Sequence, residues 1–506
     1  MVTDQLILAH DIGTSGNKAT LFNQHGQKIA SEISHYQTFY LKNNWVEQDA
    51  NDWWNAVCKT SKSLIKKAKI SPKKIVCVTF SGQMMGVVAV DKNVNALRNA
   101  IIWADMRAEK EVEKVLHKYS LEELYHLTGN RISPSYSAAK ISWIKTNEKN
   151  IYSQTFKFLQ AKDFLVAKLT GTFATDYSDA SGTNLLNIHT KDWSNKLISA
   201  FQIDEEKLPS IFQSTAIAGT VHRAAAEETG LHEGTSVVLG GADAACAALG
   251  AGVLQDGDVF NYIGTSSWIT VASNQPLLDK KMRTFNFIHL DEGMYIPTGT
   301  MQSAGSAFEW VKEQFYKEIL LEKNKVNIYE RMNNEASLSP IGANGLMFLP
   351  YLLGERSPWW NQNARGGFVG LSIKHNRNDF VRATLEGISL NLKIILDTFR
   401  ENGKNINDLW LFGGGANSRF WCQMLADIFK ASVRVPYEVD ETTSMGAAIA
   451  GGVGVGLLSD FVAAKDWCKE KYIYKTKREN GEKYEFLLKK FTETYEALEP
   501  IYDKWN

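Results

Sequence analysis

The sequence predicts an α/β protein made of two related halves, and three observations carry that prediction. The first is a repeat. Leu6-Ile7-Leu8-Ala9-His10-Asp11-Ile12 runs into Gly13-Thr14-Ser15, and Val259-Phe260-Asn261-Tyr262-Ile263 runs into Gly264-Thr265-Ser266. An apolar strand-like run thus breaks twice into Ile-Gly-Thr-Ser, about half a chain apart. The second is length: 506 residues are too many for one core and fit two domains of roughly 250 each. The third is the alternation, through both halves, of short β-branched runs with longer stretches of helical periodicity. Glycine lets the backbone approach a ligand, and free N–H and hydroxyl groups there can bind phosphate oxygens. Either turn alone reads as an ordinary β-turn. Two copies, with Asp11 in the first, read as paired phosphate loops gripping one nucleotide.

In the first half, residues 18–22, a turn at 23–26 with Gly26, and residues 28–35 continue the opening strand as a hairpin. Asp49, Asn51 and Asp52 offer caps to a helix that starts at Trp53 and keeps its apolar period to Ile65. Residues 75–80 are apolar throughout, as in a strand buried on both faces. They end at Ser81-Gly82-Gln83-Met84-Met85-Gly86, and another strand follows over 87–90. Ile101-Ile102-Trp103 ends a further strand before Ala104-Asp105-Met106-Arg107 and a charged helix over 108–119. Residues 121–169 read as mostly helical with a break at Pro134, and 175–188 as a polar loop. Val237-Val238-Leu239-Gly240-Gly241-Ala242-Asp243 closes the half, with a small-residue helix over 244–249. The expected halves are residues 1–246 and 257–506.

The second half repeats the plan. A helix opens at Met301-Gln302-Ser303-Ala304-Gly305, a strand covers 345–349, and a long amphipathic helix covers 380–399. A strand over 409–412 enters Gly413-Gly414-Gly415-Ala416-Asn417-Ser418, followed by a helix over 419–429 and a last core strand over 433–436. A Gly/Ala-rich helix is expected over 443–457 and a charged, helical tail from Lys465.

Composition excludes several classes. Lys plus Arg equals Asp plus Glu at 56 each, so no electrostatic footprint suggests nucleic acid or an anionic membrane. Charged residues at 22% and hydrophobic ones at 44% are those of a soluble globular chain. No signal peptide is read at the start, and the most membrane-like window, 236–254, is broken by Asp243. Five scattered cysteines without metal-ligand spacing fit a reducing cytoplasm, the expected location. A homodimer is the expected assembly.

Two carboxylates stand out. Asp11, at a phosphate turn, would repel a nucleotide unless a cation such as Mg2+ lay between them; it could otherwise cap its own turn. Asp243 follows two glycines in an apolar stretch, where a carboxylate needs partners. It is a candidate general base for a substrate hydroxyl, and alternatively the N-cap of the helix that follows. The glycine run at 413–415 could admit a flat base. There is no Walker A sequence, no complete dinucleotide fingerprint, and no His/Cys metal motif.

In these residues the chain resembles the FGGY carbohydrate kinases of the actin, Hsp70 and hexokinase superfamily, and within them the xylulokinases most. The resemblance runs through Asp11-Ile12-Gly13-Thr14-Ser15, Trp45-x-Glu47-Gln48-Asp49, Ser81-Gly82-Gln83-Met84 and Ile102-Trp103-x-Asp105-x-Arg107. It continues through 175–183, Gly241-x-Asp243, Ile263-Gly264-Thr265-Ser266 and Gly354-Glu355-Arg356-x-Pro358 to 413–423 and Met445-Gly446-Ala447-Ala448. It implies two ribonuclease-H-like domains with ATP and a sugar in the cleft between them. Asp243 would be the base, and Asp11 with Asp243 the Mg2+ site. Gly13, Thr14, Ser15, Lys18, Gly264, Thr265 and Ser266 would serve the phosphates, and Gly414, Gly415, Ala416 and Asn417 the adenine. Gln83, Met84, Met85, Trp103 and Asp105 would border the sugar.

The resemblance fails at the sugar. Xylulokinases usually carry Met-His-Gly where Met84-Met85-Gly86 stands, and Asp-Asn where Asp243-Ala244 stands. D-xylulose to D-xylulose 5-phosphate is the expected reaction, with L-xylulose, ribulose, erythritol or gluconate as alternative substrates. His10 is also unusual in the first strand. A rival from another class is an ATP-driven switch like actin or Hsp70, which needs neither a sugar pocket nor a base at Asp243. A sugar-sensing repressor would need a helix-turn-helix, for which the five residues before the first strand are expected to leave no room.

Overall fold

The computed structural model describes residues 5–42, 44–321 and 327–504; the ends of the two expected halves, 1–4 and 505–506, lie outside them. Two seven-stranded mixed sheets organise the chain. In the first, Leu6–Ile12 pairs antiparallel with Gly16–Asn23, which pairs antiparallel with Lys28–His35. On its other side Leu6–Ile12 pairs parallel with Ile75–Gly82, which pairs parallel with Ser236–Val238. The second sheet repeats this order. Val259–Ile263 pairs antiparallel with Ser267–Val271 and parallel with Asp408–Phe412, flanked by Tyr295–Met301 on one side and Ser432–Pro436 on the other. Three antiparallel strands followed by two parallel ones, twice over, is the ribonuclease-H-like plan of the actin, hexokinase and Hsp70 fold. Each Gly-Thr-Ser turn joins the first two strands of its sheet.

The expected first helix forms over Ala50–Ala68. Asp49 caps it by accepting from the N–H of Asn51, and Lys69 ends it in the left-handed region at φ 52°. Its buried face, with Trp53, Trp54, Val57 and Leu64, covers Gly16–Asn23 and Lys28–His35. In the second half Arg377–Glu401 is capped by Asn376 and Asp379 in a reciprocal pair and buries one whole side.

The halves are joined by two helices, Asp243–Gly250 and Thr442–Gly454, which cross with their backbones in contact. A Cβ on Gly446 would lie 1.8 Å from the carbonyl oxygen of Cys246, and one on Gly250 1.9 Å from that of Thr442. Only glycine fits either place. Around the crossing one apolar cluster takes Ile7, Ala9 and Cys77 from the first sheet and Phe260 and Phe412 from the second. Thr442–Gly454, although it belongs to the second half of the chain, packs on Leu6–Ile12 and Ile75–Gly82.

Two expectations are corrected. The polar stretch expected as a loop over 175–188 is instead a short strand, Ala174–Asp176, and a helical turn, Tyr177–Ser181, with Asp176, Ser178 and Asp179 fully buried. Lys162, also fully buried, explains this: its ammonium lies 2.6 Å from Asp163, 2.9 Å from Asp176 and 3.2 Å from Asp179. Burial, with the neighbouring Asp163 and Asp176 charges, holds the Asp179 carboxyl well above the usual range, while the Lys162 ammonium pulls it back. The tail from 465 is not helical throughout, because Glu470–Tyr474 pairs antiparallel with Ser432–Pro436 as an edge strand before the final helix, Arg478–Tyr502. The region 121–169 is mostly helical as expected, with one short strand, Lys157–Leu159, paired with Val88–Val90.

His10 has a place in the core. It is fully buried, stacks on Phe80 with ring centroids 5.4 Å apart, and shares hydrogen bonds with Asn17 and Ser61. Burial pushes its pKa down to about 4, so the ring is neutral. No helix among the described residues is long and apolar enough to cross a membrane.

Candidate active site

Asp11 is the penultimate residue of Leu6–Ile12, directly opposite Lys18 across the antiparallel ladder. Its carboxylate accepts from the Thr443 hydroxyl at 2.6 Å. Burial pushes the Asp11 carboxyl up, while the Thr443 hydrogen bond and the Lys18 charge pull it back. Lys18 itself reaches the second half of the chain, donating to the carbonyl of Asp440 at 2.9 Å and pairing with Glu441 at 3.0 Å.

Asp243 is the first residue of its helix and not the cap; that position belongs to Ala242. Its carboxylate accepts from the N–H of Ala244 at 2.7 Å. Burial first, and then the negative charge of Asp11, push it up to about 7. The preceding turn is fixed from below: the Ala242 N–H donates to Ser178 Oγ at 2.9 Å, and Ser178 donates to the buried Asp176. A carboxyl with a pKa near neutrality and a free oxygen edge suits proton transfer.

The first turn faces the residues expected at the sugar. Trp103 Nε1 donates to Thr14 Oγ1 at 2.9 Å, and Gln83 Nε2 lies 3.4 Å from the Gly13 carbonyl and 2.9 Å from Gln48 Oε1. Gln83 Oε1 is buried with no partner among the described residues. Met84 is buried and packs on Gly182, while Met85 is half-buried in the left-handed region at φ 63°. Asp105 departs from expectation. It is fully buried, and its oxygens accept from Arg107 and from the N–H of Val46 at 2.6 Å, which leaves none for a sugar. It fixes the turn that presents Trp103.

The second turn faces a different space. Gly264 and Thr265 line a cleft of about 1430 Å3 together with Gly414, Gly415 and Asn417; Ala416 is buried beside it. Gly413, at φ 80°, lets that glycine run press on Val259–Ile263: a Cβ there would meet the Ile263 carbonyl oxygen at 2.5 Å. Phe308 and Phe420 supply aromatic lining. Ser266 follows on the same turn and closes it, its carbonyl accepting from the N–H of Gly264 at 2.9 Å.

Sequence reasoning gave no role to Thr443, Ser178, or Tyr36, whose hydroxyl donates to the Gly13 carbonyl. Ser178, within the quoted stretch 175–183, and Gln48, within a quoted motif, carried a signal; Gln48 donates to the Thr14 carbonyl at 2.6 Å and accepts from Trp53 at 3.0 Å.

No group of three or more His, Cys, Asp or Glu that could enclose a metal occurs among the described residues. Two mutually repelling carboxylates beside hydroxyl-rich turns are a different donor set. Mg2+ keeps several waters and takes one or two carboxylates plus substrate phosphates, and Asp11 with Asp243 fits that demand.

Comparison with known proteins places the chain in a family. Residues 6–250 match the N-terminal domain, and 259–455 the C-terminal domain, of the FGGY family of carbohydrate kinases. The chain is 33% identical over 490 residues to a xylulose kinase of Bacillus subtilis, covering 97% of this chain and 96% of the relative. It is 30% identical over 500 residues to a gluconokinase of the same organism, covering 98% and 96%. The structure matches a ligand-bound xylulose kinase of Lactobacillus acidophilus with a TM-score of 0.92 at 26% identity, over 99% of this chain and 100% of that one. A gluconate kinase of the same species matches equally, with a TM-score of 0.92 at 27% identity and the same coverage. The chain belongs to the FGGY family of carbohydrate kinases and is an ATP-dependent sugar kinase.

Proposed function

We propose that this kinase transfers the γ-phosphoryl group of ATP to a primary hydroxyl of an open-chain sugar, with D-xylulose the first candidate. The observation that carries the reading is Asp243, the first residue of its helix, a buried carboxylate beside the Asp11 charge with a pKa pushed up to about 7. It takes the proton of the attacking hydroxyl. Gly13, Thr14 and Ser15, with Gly264, Thr265 and Ser266, offer amides and hydroxyls to the phosphate oxygens. Gly414, Gly415, Ala416 and Asn417 hold the adenine; Gln83, Met84, Met85 and Trp103 border the sugar. A magnesium ion at Asp11 and Asp243 would supply positive charge against the phosphoryl oxygens. Lys18, held by Glu441, keeps the phosphate turn in register with the second half of the chain.

D-xylulose comes first because the xylulose kinases of several bacteria align over nearly the whole chain. A sugar acid such as gluconate is the second reading, and a specific observation favours it. The guanidinium of Arg356, close enough to Tyr136, Lys140 and Glu355 for their charges to act on one another, makes no side-chain hydrogen bond among the described residues. An arginine with open donors suits a carboxylate. The test is ADP release with D-xylulose, L-xylulose, D-ribulose, erythritol and D-gluconate. Turnover on D-xylulose above the rest supports the first reading; turnover on D-gluconate alone replaces it with the second.

A further inference from the structure

Lys140 is fully buried on the Ser137–Asn147 helix and has no carboxylate within ion-pair distance among the described residues. Its ammonium donates to three backbone carbonyls from separate turns: Met85 at 2.9 Å, Ile102 at 2.8 Å and Ser135 at 2.5 Å. Met85 and Ile102 belong to the two turns that present Met84, Met85 and Trp103. The Met85 turn is gripped on its other side as well. Its N–H donates to Gln160 Oε1 at 2.6 Å, and the Gly86 carbonyl accepts from Ser137 at 3.0 Å. These bonds hold Met85, a residue with a Cβ, at φ 63°.

A buried ammonium without a carboxylate in contact is a costly way to join two loops, since neutral donors would serve. Burial pushes Lys140 down to about 7; Asp105 pulls it up, and Arg107 and Arg356 push it further down. All of its hydrogen-bonding capacity is directed at the two turns and at Ser135.

We propose that Lys140 is the positioning residue of the sugar pocket, setting the separation of the Met85 and Trp103 turns by holding the Met85 and Ile102 carbonyls on one ammonium. Sugar recognition depends on it and nucleotide binding does not. The inference rests on the sugar lying against Met85 and Trp103, as proposed above.

The experiment measures KM for ATP and for whichever of D-xylulose and D-gluconate the wild type phosphorylates, in Lys140→Met and Gln160→Met. Lys140→Met is expected to raise the sugar KM by about tenfold or more while the KM for ATP stays within about twofold. Gln160→Met, which releases the Met85 N–H and also the Asp179 carbonyl held by Gln160 Nε2 at 2.7 Å but leaves the Ile102 turn in place, moves the sugar KM the same way by less. A sugar KM unchanged in Lys140→Met, or an ATP KM rising in step with it, overturns the proposal. If Lys140→Met does not fold, Gln160→Met decides alone, by the same split. Met85→Ala and Trp103→Phe are the controls. If neither moves the sugar KM, the placement of the sugar falls and the inference with it. If they move it and Lys140→Met does not, the inference alone falls.

Discussion

The hydroxyl of Thr443 meets the carboxylate of Asp11 at 2.6 Å, although 432 positions separate them in the chain. The residue expected at the metal is therefore oriented by a helix from the other half. Thr443→Val should raise the Mg2+ concentration for half-maximal turnover by about tenfold, the scale on which partners of a metal-binding residue act. A magnesium titration at fixed ATP checks this. An unchanged midpoint would mean that Thr443 only packs.

Asp243→Asn should lower kcat by about a hundredfold or more while leaving ATP affinity in place. The same change should stabilise the ligand-free protein. The Asp243 pKa, raised to about 7, exceeds the ordinary 3.8, so the folded state carries a penalty that is full above pH 7 and shrinks as pH falls toward 4. Thermal unfolding should accordingly show a higher Tm for the variant at pH 8, with the gap narrowing at pH 5. A gap independent of pH would contradict the assignment.

At the helix crossing the obstacles are backbone carbonyls, which cannot swing aside. Gly446→Ala should cost about 1–3 kcal/mol or more, because the two helices must separate to admit the methyl group. Urea unfolding measures it. Gly403→Ala, where a Cβ meets nothing within 4 Å although φ is 87°, separates backbone strain from overlap.

Thr14 and Thr265 sit on the two equivalent turns, one beside Trp103 and the other beside the glycine run. If both hold one nucleotide, Thr14→Val and Thr265→Val should couple in a double-mutant cycle on turnover by more than about 0.5 kcal/mol. Strict additivity would separate the loops.

Met85 offers the sugar no strong hydrogen-bonding atom in its side chain. Met85→His should change the ranking of D-xylulose, L-xylulose, D-ribulose and erythritol, by about tenfold to a hundredfold in kcat/KM for the favoured sugar. An unchanged ranking would place Met85 outside the recognition surface.

The sequence by itself determined the features whose cause is local. A strand that ends in Ile-Gly-Thr-Ser announces its turn by residue type alone, and its repetition announced two halves with one plan. Asp11 and Asp243 were legible because each carboxylate interrupts an apolar run next to glycine. Tertiary structure decided whatever depends on a partner far along the chain. The stretch 175–188 reads as a polar loop because its hydroxyls and carboxylates prefer water; it is buried where Lys162 supplies a cation to Asp176 and Asp179. Asp105 reads as a sugar residue until Arg107 and the Val46 amide take its oxygens. The Thr442–Gly454 helix reads as a helix of the second half, yet it covers the first sheet and brings Thr443 to Asp11. Lys140 reads as one more helix lysine, because nothing in its neighbours shows that three carbonyls converge on it. Local propensity fixes turns and strands, but a charged side chain's role is set by which counter-groups the packed fold leaves within reach.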